Sequence, residues 1–277
     1  MIIHHLNCGS VRQIEATYDG PPPAHAVNHC LLAQTDADGL VLIDTGLGLA
    51  DLRDPDGILG ADWVQMAQPV LAEEETAIHQ VARLGYSPGD VRHIIVTHLD
   101  VDHCGGLPDF PDAQVHVLAA ELDAATAGAP SFRYRPAHWA HGPKWVTYTS
   151  GPGEDWFGFT AIAPQGLPPD IRLVPLGGHT AGHTGVAVRV GDRWLLHCGD
   201  AYYYHRELGT APEPHPILDI VQTRSEVHHD LRLGTQARLR ELIRAHSGEV
   251  TVFSAHDPWE LARRAEEEAG WNEFTVL

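Results

Sequence analysis

A dense group of potential metal ligands follows an apolar run in the middle of the chain. The run Ile94-Ile95-Val96 is followed by His98-Leu99-Asp100-Val101-Asp102-His103, so four side chains that can bind a metal fall within six residues. On an extended strand end, alternate positions such as 98, 100 and 102 project to one side. A tight turn into a helix near Asp102 would instead direct Asp102 and His103 toward a second metal. The motif predicts a metal site at the end of a buried strand.

Three later segments carry the same kind of side chain after a predicted strand. The Gly-rich turn Gly177–Gly185 contains His179 and His183, the strand at 194–196 is followed by Asp200, and the strand at 250–253 is followed by His256. Acids and imidazoles at strand ends are what two divalent ions need to complete their coordination. The sequence therefore predicts one site assembled from several strand ends.

Strand and helix patterns alternate along the chain. Short apolar runs predict strands at 29–33, 40–43, 93–96, 115–118, 186–188, 194–196 and 250–253. Helical spacing predicts helices at 73–84, with Gly85 as its stop, at 225–246, with Ser225 as a candidate N-cap, and at 259–268. This alternation predicts an α/β layered fold, and no segment reads as a linker, so we expect one domain over residues 1–277.

Two long segments have no clear periodicity. Residues 46–69 mix Gly, Asp and Pro with apolar side chains that include Trp63 and Met66, and residues 128–169 are rich in Pro, Gly and aromatics. Long irregular segments in a compact domain are usually functional. Two interpretations of 46–69 stay open: an apolar wall for a substrate, or a lid packed onto the core.

The charge balance limits the partners of the chain. Its 37 acidic and 18 basic residues give a net charge of −19, which opposes binding to nucleic acid or anionic membranes because both need clustered Lys and Arg. The N-terminus lacks the pattern of a signal peptide, no window is apolar enough to span a membrane, and the four cysteines form no CxxC pair. We expect a cytoplasmic protein with reduced thiols that acts on a small molecule, and a homodimer is an open alternative to a monomer.

The ordered motifs HxDxDH, GHTxGH, GD and SAHD, together with Asp44-Thr45-Gly46, resemble those of the metallo-β-lactamase superfamily. The resemblance spans about Asn28 to Asp257 and implies the four-layer αβ/βα sandwich of that superfamily. It also implies a binuclear site in which one metal is held by His98, Asp100 and His183. The second metal would be held by Asp102, His103 and His256, and Asp200 would bridge both. By the same resemblance, His179 is expected to stabilise the turn, and Asp44 to orient a ligand by hydrogen bonding.

The second position of the central motif departs from the superfamily. Its members usually have HxHxDH, whereas this chain has Asp100 in place of the second histidine. An anionic oxygen ligand shifts metal preference toward manganese or iron, although zinc also accepts carboxylates. We expect two divalent metal ions, with zinc ahead of manganese and iron.

A hydrolase is the activity that this set of residues favours. Asp102 is a candidate proton carrier between nucleophile and leaving group. Tyr203 lies three residues beyond Asp200, a spacing that resembles the N-acyl homoserine lactone lactonases of the superfamily. Two interpretations stay open: Tyr203 contacts the substrate carbonyl, or the run Tyr202–Tyr204 serves only packing and the rim of the pocket. The predicted reaction is opening of a lactone or cleavage of a small carboxylic ester. The alternatives are an iron-dependent redox enzyme of the persulfide dioxygenase or flavodiiron kind, a thioesterase or β-lactamase-type hydrolase, and a metal-binding module without turnover.

Overall fold

Twelve strands and eight α-helices make up the described part of the chain. The computed structural model describes residues 1–15, 24–35, 39–128, 131–151 and 153–274. The strands are β1 Ile2–Ile14, β2 Ala24–Gln34, β3 Leu40–Ile43, β4 Val91–Ile95, β5 Gln114–Leu118, β6 Lys144–Tyr148, β7 Glu154–Trp156, β8 Phe159–Ala161, β9 Ile171–Pro175, β10 Thr184–Val190, β11 Arg193–His197 and β12 Val250–Phe253. The helices are α1 Leu49–Arg53, α2 Ala61–Ala67, α3 Ala77–Arg83, α4 Val101–Cys104, α5 Ala119–Thr126, α6 Pro216–Ser225, α7 His229–His246 and α8 Pro258–Phe274.

Two sheets face each other and carry helices on their outer sides. The first sheet has the order β1-β2-β3-β4-β5-β6, the second has the order β12-β11-β10-β9, and β7 pairs with β8 separately. Between the sheets, Ile43 and Ile95 pack in one cluster with Leu173, Val186 and Phe253. Burying these apolar side chains drives the two sheets together.

Separate apolar clusters join helices to the outer face of each sheet. Ala77 and Val81 of α3 pack with the first sheet, and Leu239 and Leu242 of α7 pack with the second. The layers are therefore helix, sheet, sheet, helix, which confirms the predicted four-layer αβ/βα sandwich. Among the described residues, no helix combines the length and the apolar character needed to cross a bilayer.

The predicted strands are all present, but two strands outside the irregular segments 46–69 and 128–169, namely β1 and β9, were not predicted. The segment predicted at 29–33 is the centre of β2, which pairs antiparallel with the long strand β1. β1 reads Ile-Ile-His-His-Leu-Asn-Cys-Gly-Ser and interleaves polar with apolar residues too irregularly to be read as a strand. β9 was also missed.

The helices differ from the prediction mainly around Ser225. One helix was expected over 225–246, yet Ser225 ends α6 and the second helix begins at His229. Glu226 is extended, and the backbone N–H groups of Val227 and His228 donate to the carbonyl of Gly178. The chain leaves the helical path here because these groups bond to the turn that carries His179.

The two segments predicted to be irregular contain regular structure. Residues 46–69 form α1, a π-helical turn at Asp56–Gly60 and α2, with Leu59 and Trp63 packed in an apolar cluster. Residues 128–169 include β6, β7, β8 and a 3-10 turn at Pro136–Trp139. The helix predicted at 73–84 is a 3-10 turn at Glu73–Glu75 followed by α3, and Gly85 follows at a φ of +90°.

Candidate metal centre

The central motif divides into a loop and the start of a helix. His98 and Asp100 lie in the loop after β4, whereas Asp102 and His103 lie in α4, which begins at Val101. The N–H of His103 donates to the carbonyl of Asp100 at 3.0 Å, which closes the first turn of the helix. This change of backbone direction separates the four side chains into two pairs.

The later motifs reach the same place from the second sheet. β10 begins directly after the turn of His179 and His183, Asp200 follows β11, and His256 follows β12. Gly199, before Asp200, has a φ of +51°, and a Cβ atom there would lie 2.6 Å from Nε2 of His183. Only glycine fits this position without strain.

The first group of potential ligands consists of His98, Asp100, His179 and Asp200. Oδ2 of Asp100 lies 3.4 Å from Nε2 of His98 and 3.1 Å from Nε2 of His179. Oδ2 of Asp200 lies 3.8 Å from Nε2 of His98 and 3.4 Å from Nε2 of His179. Bond lengths near 2.0–2.2 Å place the ligand atoms of a tetrahedral metal about 3.4 Å apart, so these four atoms fit one ion.

The second group consists of Asp102, His103 and His256, and Asp200 adjoins it. Oδ1 of Asp200 lies 3.1 Å from Nε2 of His103 and 3.1 Å from Nε2 of His256. Oδ2 of Asp102 lies 3.9 Å from Nε2 of His256. Oδ1 of Asp200 therefore faces the second group, and its Oδ2 faces the first group while also lying 3.2 Å from Nε2 of His256. A carboxylate between the two groups suits a bridging ligand.

Unpartnered ring nitrogens support the metal interpretation. Nε2 of His98 and Nε2 of His103 are buried and lack a partner with hydrogen-bond geometry among the described residues. Buried polar atoms without a partner are costly, and a bound cation would satisfy both. The other ring nitrogen is held in each case, since Nδ1 of His98 contacts Oγ1 of Thr97 at 2.9 Å and Nδ1 of His103 contacts Oδ2 of Asp44 at 2.8 Å. These contacts leave Nε2 as the ligand atom.

His183 is the predicted ligand that the structure does not bring into either group. Its Nδ1 contacts the carbonyl of Leu176 at 2.7 Å, and its Nε2 accepts the N–H of Asp200 at 2.9 Å. Both ring nitrogens are thereby occupied. His179, which was expected only to stabilise the turn, lies in the first group instead. Two histidines four residues apart on one turn point in different directions, and the family resemblance had favoured His183 over His179 as the ligand.

Asp44 has the orienting geometry that was expected of it. Its carboxylate accepts the N–H of Thr97 at 2.7 Å and the hydroxyl of Thr97 at 2.8 Å, in addition to its contact with His103. Burial alone would raise the pKa of Asp44, but His103 lowers it. The ionised carboxylate fixes the ring of His103 and the start of the ligand loop.

Two residues at the site carried no signal in the sequence. Glu121 is buried, and its carboxylate accepts hydrogen bonds from four groups of the surrounding loops: Leu99 N, Tyr134 OH, Thr180 Oγ1 and Gly182 N. Nη1 of Arg133 lies 2.6 Å from both carboxylate oxygens of Asp100 and 3.0 Å from Nε2 of His179. Neither residue lies in a motif. Their contacts with the ligand loops form only when distant segments of the chain come together, so sequence reasoning did not find them.

The site keeps its carboxylates ionised despite burial. Burial alone would raise the pKa of Asp100, but Arg133 and His98 hold it well below its usual value. Burial would likewise raise the pKa of Asp200, but His256, His103 and His179 lower it strongly. Ionised carboxylates are the form that binds metals.

Tyr203 lies beside the bridging position. Its hydroxyl is 2.8 Å from Oδ2 of Asp200 and 3.4 Å from Oγ of Ser225. Burial and the carboxylate of Asp200 raise the pKa of Tyr203 well above its usual value, so the hydroxyl stays protonated at neutral pH. Tyr203 and Asp102 both line a pocket with an apolar wall formed by Val11, Ala26, Trp63, Met66, Ala67, Phe132, Ile217, Leu218 and Val221.

Comparison with known proteins gives one consistent family. The model of the metallo-β-lactamase superfamily matches residues 26–256. A probable metallo-hydrolase of Mycobacterium tuberculosis is 43% identical over 270 residues, which cover 94% of this chain and 82% of the relative. An N-acyl homoserine lactonase of Rhizobium johnstonii is 27% identical over 263 residues, covering 91% of this chain and 88% of the relative.

The solved structures show the same fold. A Bacillus thuringiensis AiiA mutant with N-decanoyl-L-homoserine bound at the active site matches with a TM-score of 0.69 and 20% identity, covering 93% of this chain and 94% of that one. The fold, the family match over most of the chain and the named metallo-hydrolase relative agree. The chain belongs to the metallo-β-lactamase superfamily and is a metallo-hydrolase of that superfamily.

Proposed function

We propose that the protein opens a lactone or cleaves a small carboxylic ester with the help of two divalent metal ions. The observation that carries the proposal is the position of Asp200, which lies between the two ligand groups while its Oδ2 contacts the Tyr203 hydroxyl. Candidate ligands of both groups, Asp200 and Tyr203 all line one pocket with an apolar wall. Relatives named N-acyl homoserine lactonases, at 26–27% identity over about nine tenths of the chain, favour a lactone.

The proposed metal ligands fall into the two groups described above. His98, Asp100 and His179 would hold one ion, Asp102, His103 and His256 the other, and Asp200 would bridge them. Zinc is the proposed metal, with manganese or iron as alternatives because Asp100 adds a hard anionic oxygen. Two bound divalent ions would polarise a carbonyl oxygen as Lewis acids and would lower the pKa of a bound water molecule.

Tyr203 is the proposed hydrogen-bond donor to the substrate. Its hydroxyl stays protonated, and its backbone N–H is held by Oε1 of Glu207 at 3.1 Å. A preorganised donor of this kind stabilises the negative charge that develops on a carbonyl oxygen during attack. If the hydroxyl of Tyr203 turns toward the substrate, its hydrogen bond to Asp200 breaks. Asp200 and the substrate would then use the same hydrogen-bond donor in turn.

Asp102 is the proposed proton carrier. Its side chain is largely buried, lines the pocket and places Oδ2 3.9 Å from Nε2 of His256. A carboxylate in this position can accept a proton from the attacking water and donate it to the leaving alkoxide. No serine or cysteine nucleophile is needed, and burial raises the pKa of the nearby Cys104 thiol well above its usual value.

The pocket wall favours a substrate with an apolar acyl group. The lining includes Trp63, Met66 and Ala67 of α2 together with Ile217, Leu218 and Val221 of α6. The segment 46–69 therefore contributes both to the core, through Leu59, and to the pocket. Apolar contact on both sides would bind an acyl chain while the ester group lies at the carboxylates.

A substrate panel tests the proposal. Zinc- and manganese-loaded enzyme would be assayed with an acyl homoserine lactone, an aryl ester, a thioester and a β-lactam. We expect turnover of the lactone or the ester, and Tyr203→Phe to lower kcat by roughly 10²-fold with metal content unchanged. Turnover of the thioester or the β-lactam alone would contradict the proposed substrate class.

The carboxylate of Asp100 favours a second candidate, an iron-dependent redox enzyme. Oxygen ligands suit iron better than an all-imidazole set does. Metal analysis after growth with controlled iron, manganese and zinc separates the two candidates. Iron content with oxygen consumption, and no ester or lactone hydrolysis with any metal, would favour the redox enzyme.

A further inference from the structure

Arg133 places a positive charge against the first ligand group. Its Nη1 lies 2.6 Å from both oxygens of Asp100 and 3.0 Å from Nε2 of His179, and its Nη2 donates to the backbone carbonyl of Ser225 at the end of α6. Only 13% of its side chain is exposed. The guanidinium is therefore fixed at the site and is not a mobile surface charge.

The contact with His179 shows on which side of the ligands the guanidinium lies. A guanidinium only donates hydrogen bonds, and an imidazole nitrogen has a single lone pair with which to accept. In the tautomer of His179 that carries its proton on Nδ1, Nε2 accepts from Arg133 with the lone pair that a metal would use. Nη1 also lies within hydrogen-bond distance of both Asp100 oxygens, so a metal chelated by this carboxylate would need the same space.

A supporting residue would be arranged differently. Residues that strengthen a metal ligand usually bind its far side and leave the ligand atom free, as Asp44 binds Nδ1 of His103 and leaves Nε2 free. Arg133 contacts ligand atoms directly. Among the described residues, the side chain of Arg133 forms hydrogen bonds with Asp100, His179 and Ser225, and it forms none with Asp102, His103 or His256.

We infer that Arg133 is an internal cation that competes with metal for Asp100 and His179, so that the two groups bind metal in sequence and with unequal affinity. The inference rests on the metal centre of the proposed function. The group of Asp102, His103 and His256 fills first, because among the described residues no arginine or lysine forms an ion pair with it, and Arg12 at the same pocket donates to the carbonyls of Gln65 and Met66 instead. The group of Asp100 fills second, and binding there displaces the guanidinium from the ligand atoms.

Metal titration of the metal-free protein tests the inference without any activity assay. Wild type and Arg133→Gln would be stripped with a chelator and titrated with zinc against a competing chelator. We expect two steps in wild type, the second weaker. Arg133→Gln should tighten the second step by roughly 10- to 100-fold and leave the first within about twofold, because a competing positive charge is removed from one group only.

Thermal unfolding gives a second readout. Without metal, Arg133→Gln leaves the largely buried Asp100 without its cation, so Tm should fall below that of wild type. With zinc in excess the difference should close, since the ion then neutralises Asp100 in both proteins. Arg133→Lys keeps the charge on a more flexible side chain and should give intermediate affinity; it also serves if the glutamine variant does not fold.

Arg224→Gln is the matched control. Arg224 precedes Ser225, is exposed, and lines a neighbouring pocket that contains none of the candidate metal ligands. Its removal changes the net charge equally and should leave both steps unchanged. A second step that is weaker or unchanged in Arg133→Gln, or an equal gain in the control, would overturn the inference while leaving the metal centre intact. A wild type that binds no metal would overturn the metal centre and this inference together.

Discussion

Substitution of Glu121 by glutamine would test whether one buried carboxylate holds the ligand loops in place. Oε1 of Glu121 accepts from Leu99 N and Tyr134 OH at 3.0 Å each, and Oε2 accepts from Thr180 Oγ1 at 2.6 Å and Gly182 N at 3.0 Å. Leu99 lies between His98 and Asp100, and Thr180 and Gly182 follow His179 within its turn. The carboxylate thus connects the two segments that supply the first ligand group.

The cost of Glu121→Gln follows from the number of acceptors that it removes. The amide NH₂ replaces one oxygen and faces one hydroxyl and one backbone N–H, whichever way it is turned. The hydroxyl can rotate to accept from the amide, but the backbone N–H cannot and is left buried without a partner. One such group costs about 1–3 kcal/mol of unfolding free energy. Displaced ligand loops should also weaken zinc binding by roughly 10- to 100-fold.

Denaturant unfolding and zinc titration of the same preparations measure both effects. Glu74→Gln removes an equal charge at an exposed position and should change the unfolding free energy by less than about 0.5 kcal/mol. Glu121→Ala leaves two buried backbone N–H groups unpaired and should cost more than the glutamine variant. If Glu121→Gln matches Glu74→Gln in stability and in zinc affinity, the loops do not depend on this carboxylate and the reasoning fails.

Three further experiments address the ligand set and the effect of pH. Asp200→Ala should abolish both activity and the pairing of metals, measured as metal content per chain; retention of both would exclude a bridging role. His179→Ala should lose about one metal per chain, whereas His183→Ala should keep both, and the reverse result would restore His183 as the ligand predicted from the sequence. Burial lowers the pKa of His5 and of His116 to about 4. Below pH 6.5 these two histidines bind protons more readily in the unfolded chain than in the folded chain. The free energy of unfolding is therefore unaffected by them above pH 6.5 and falls as the pH drops toward 4. The loss at pH 5 should reach up to about 2 kcal/mol for each group, and His5→Gln or His116→Gln should reduce the fall in unfolding free energy between pH 7 and pH 5.

The sequence predicted which segments meet at the site, because that information is local. An apolar run followed by His98, Asp100 or Asp200 marks a strand end, and such ends gather at one edge of a sheet. The long helix predicted across Ser225 failed for a different reason. Its break depends on hydrogen bonds from Val227 and His228 to Gly178, which lies almost fifty residues earlier. Helical periodicity on either side of the break carries no trace of that contact.

The direction of each ligand depends on contacts between segments that are distant in the sequence. His183 turns away from the ligand groups because Leu176 O and Asp200 N bind its ring, and His103 turns toward them because Asp44 holds Nδ1. Glu207 orients the segment of Tyr203 beside the pocket in the same way, since its Oε1 accepts the N–H groups of Tyr203 and Tyr204.

These orienting groups include three buried carboxylates, those of Asp44, Glu121 and Glu207, and each accepts at least two hydrogen bonds from a segment that carries a ligand or Tyr203. A buried carboxylate is stabilised only when its oxygens are satisfied, so a small displacement of such a segment is opposed by the loss of several bonds at once. Most of the candidate ligands can therefore be read from motifs, whereas the choice of His179 over His183 and the geometry of the proposed metal centre depend on contacts between segments that are distant in the sequence.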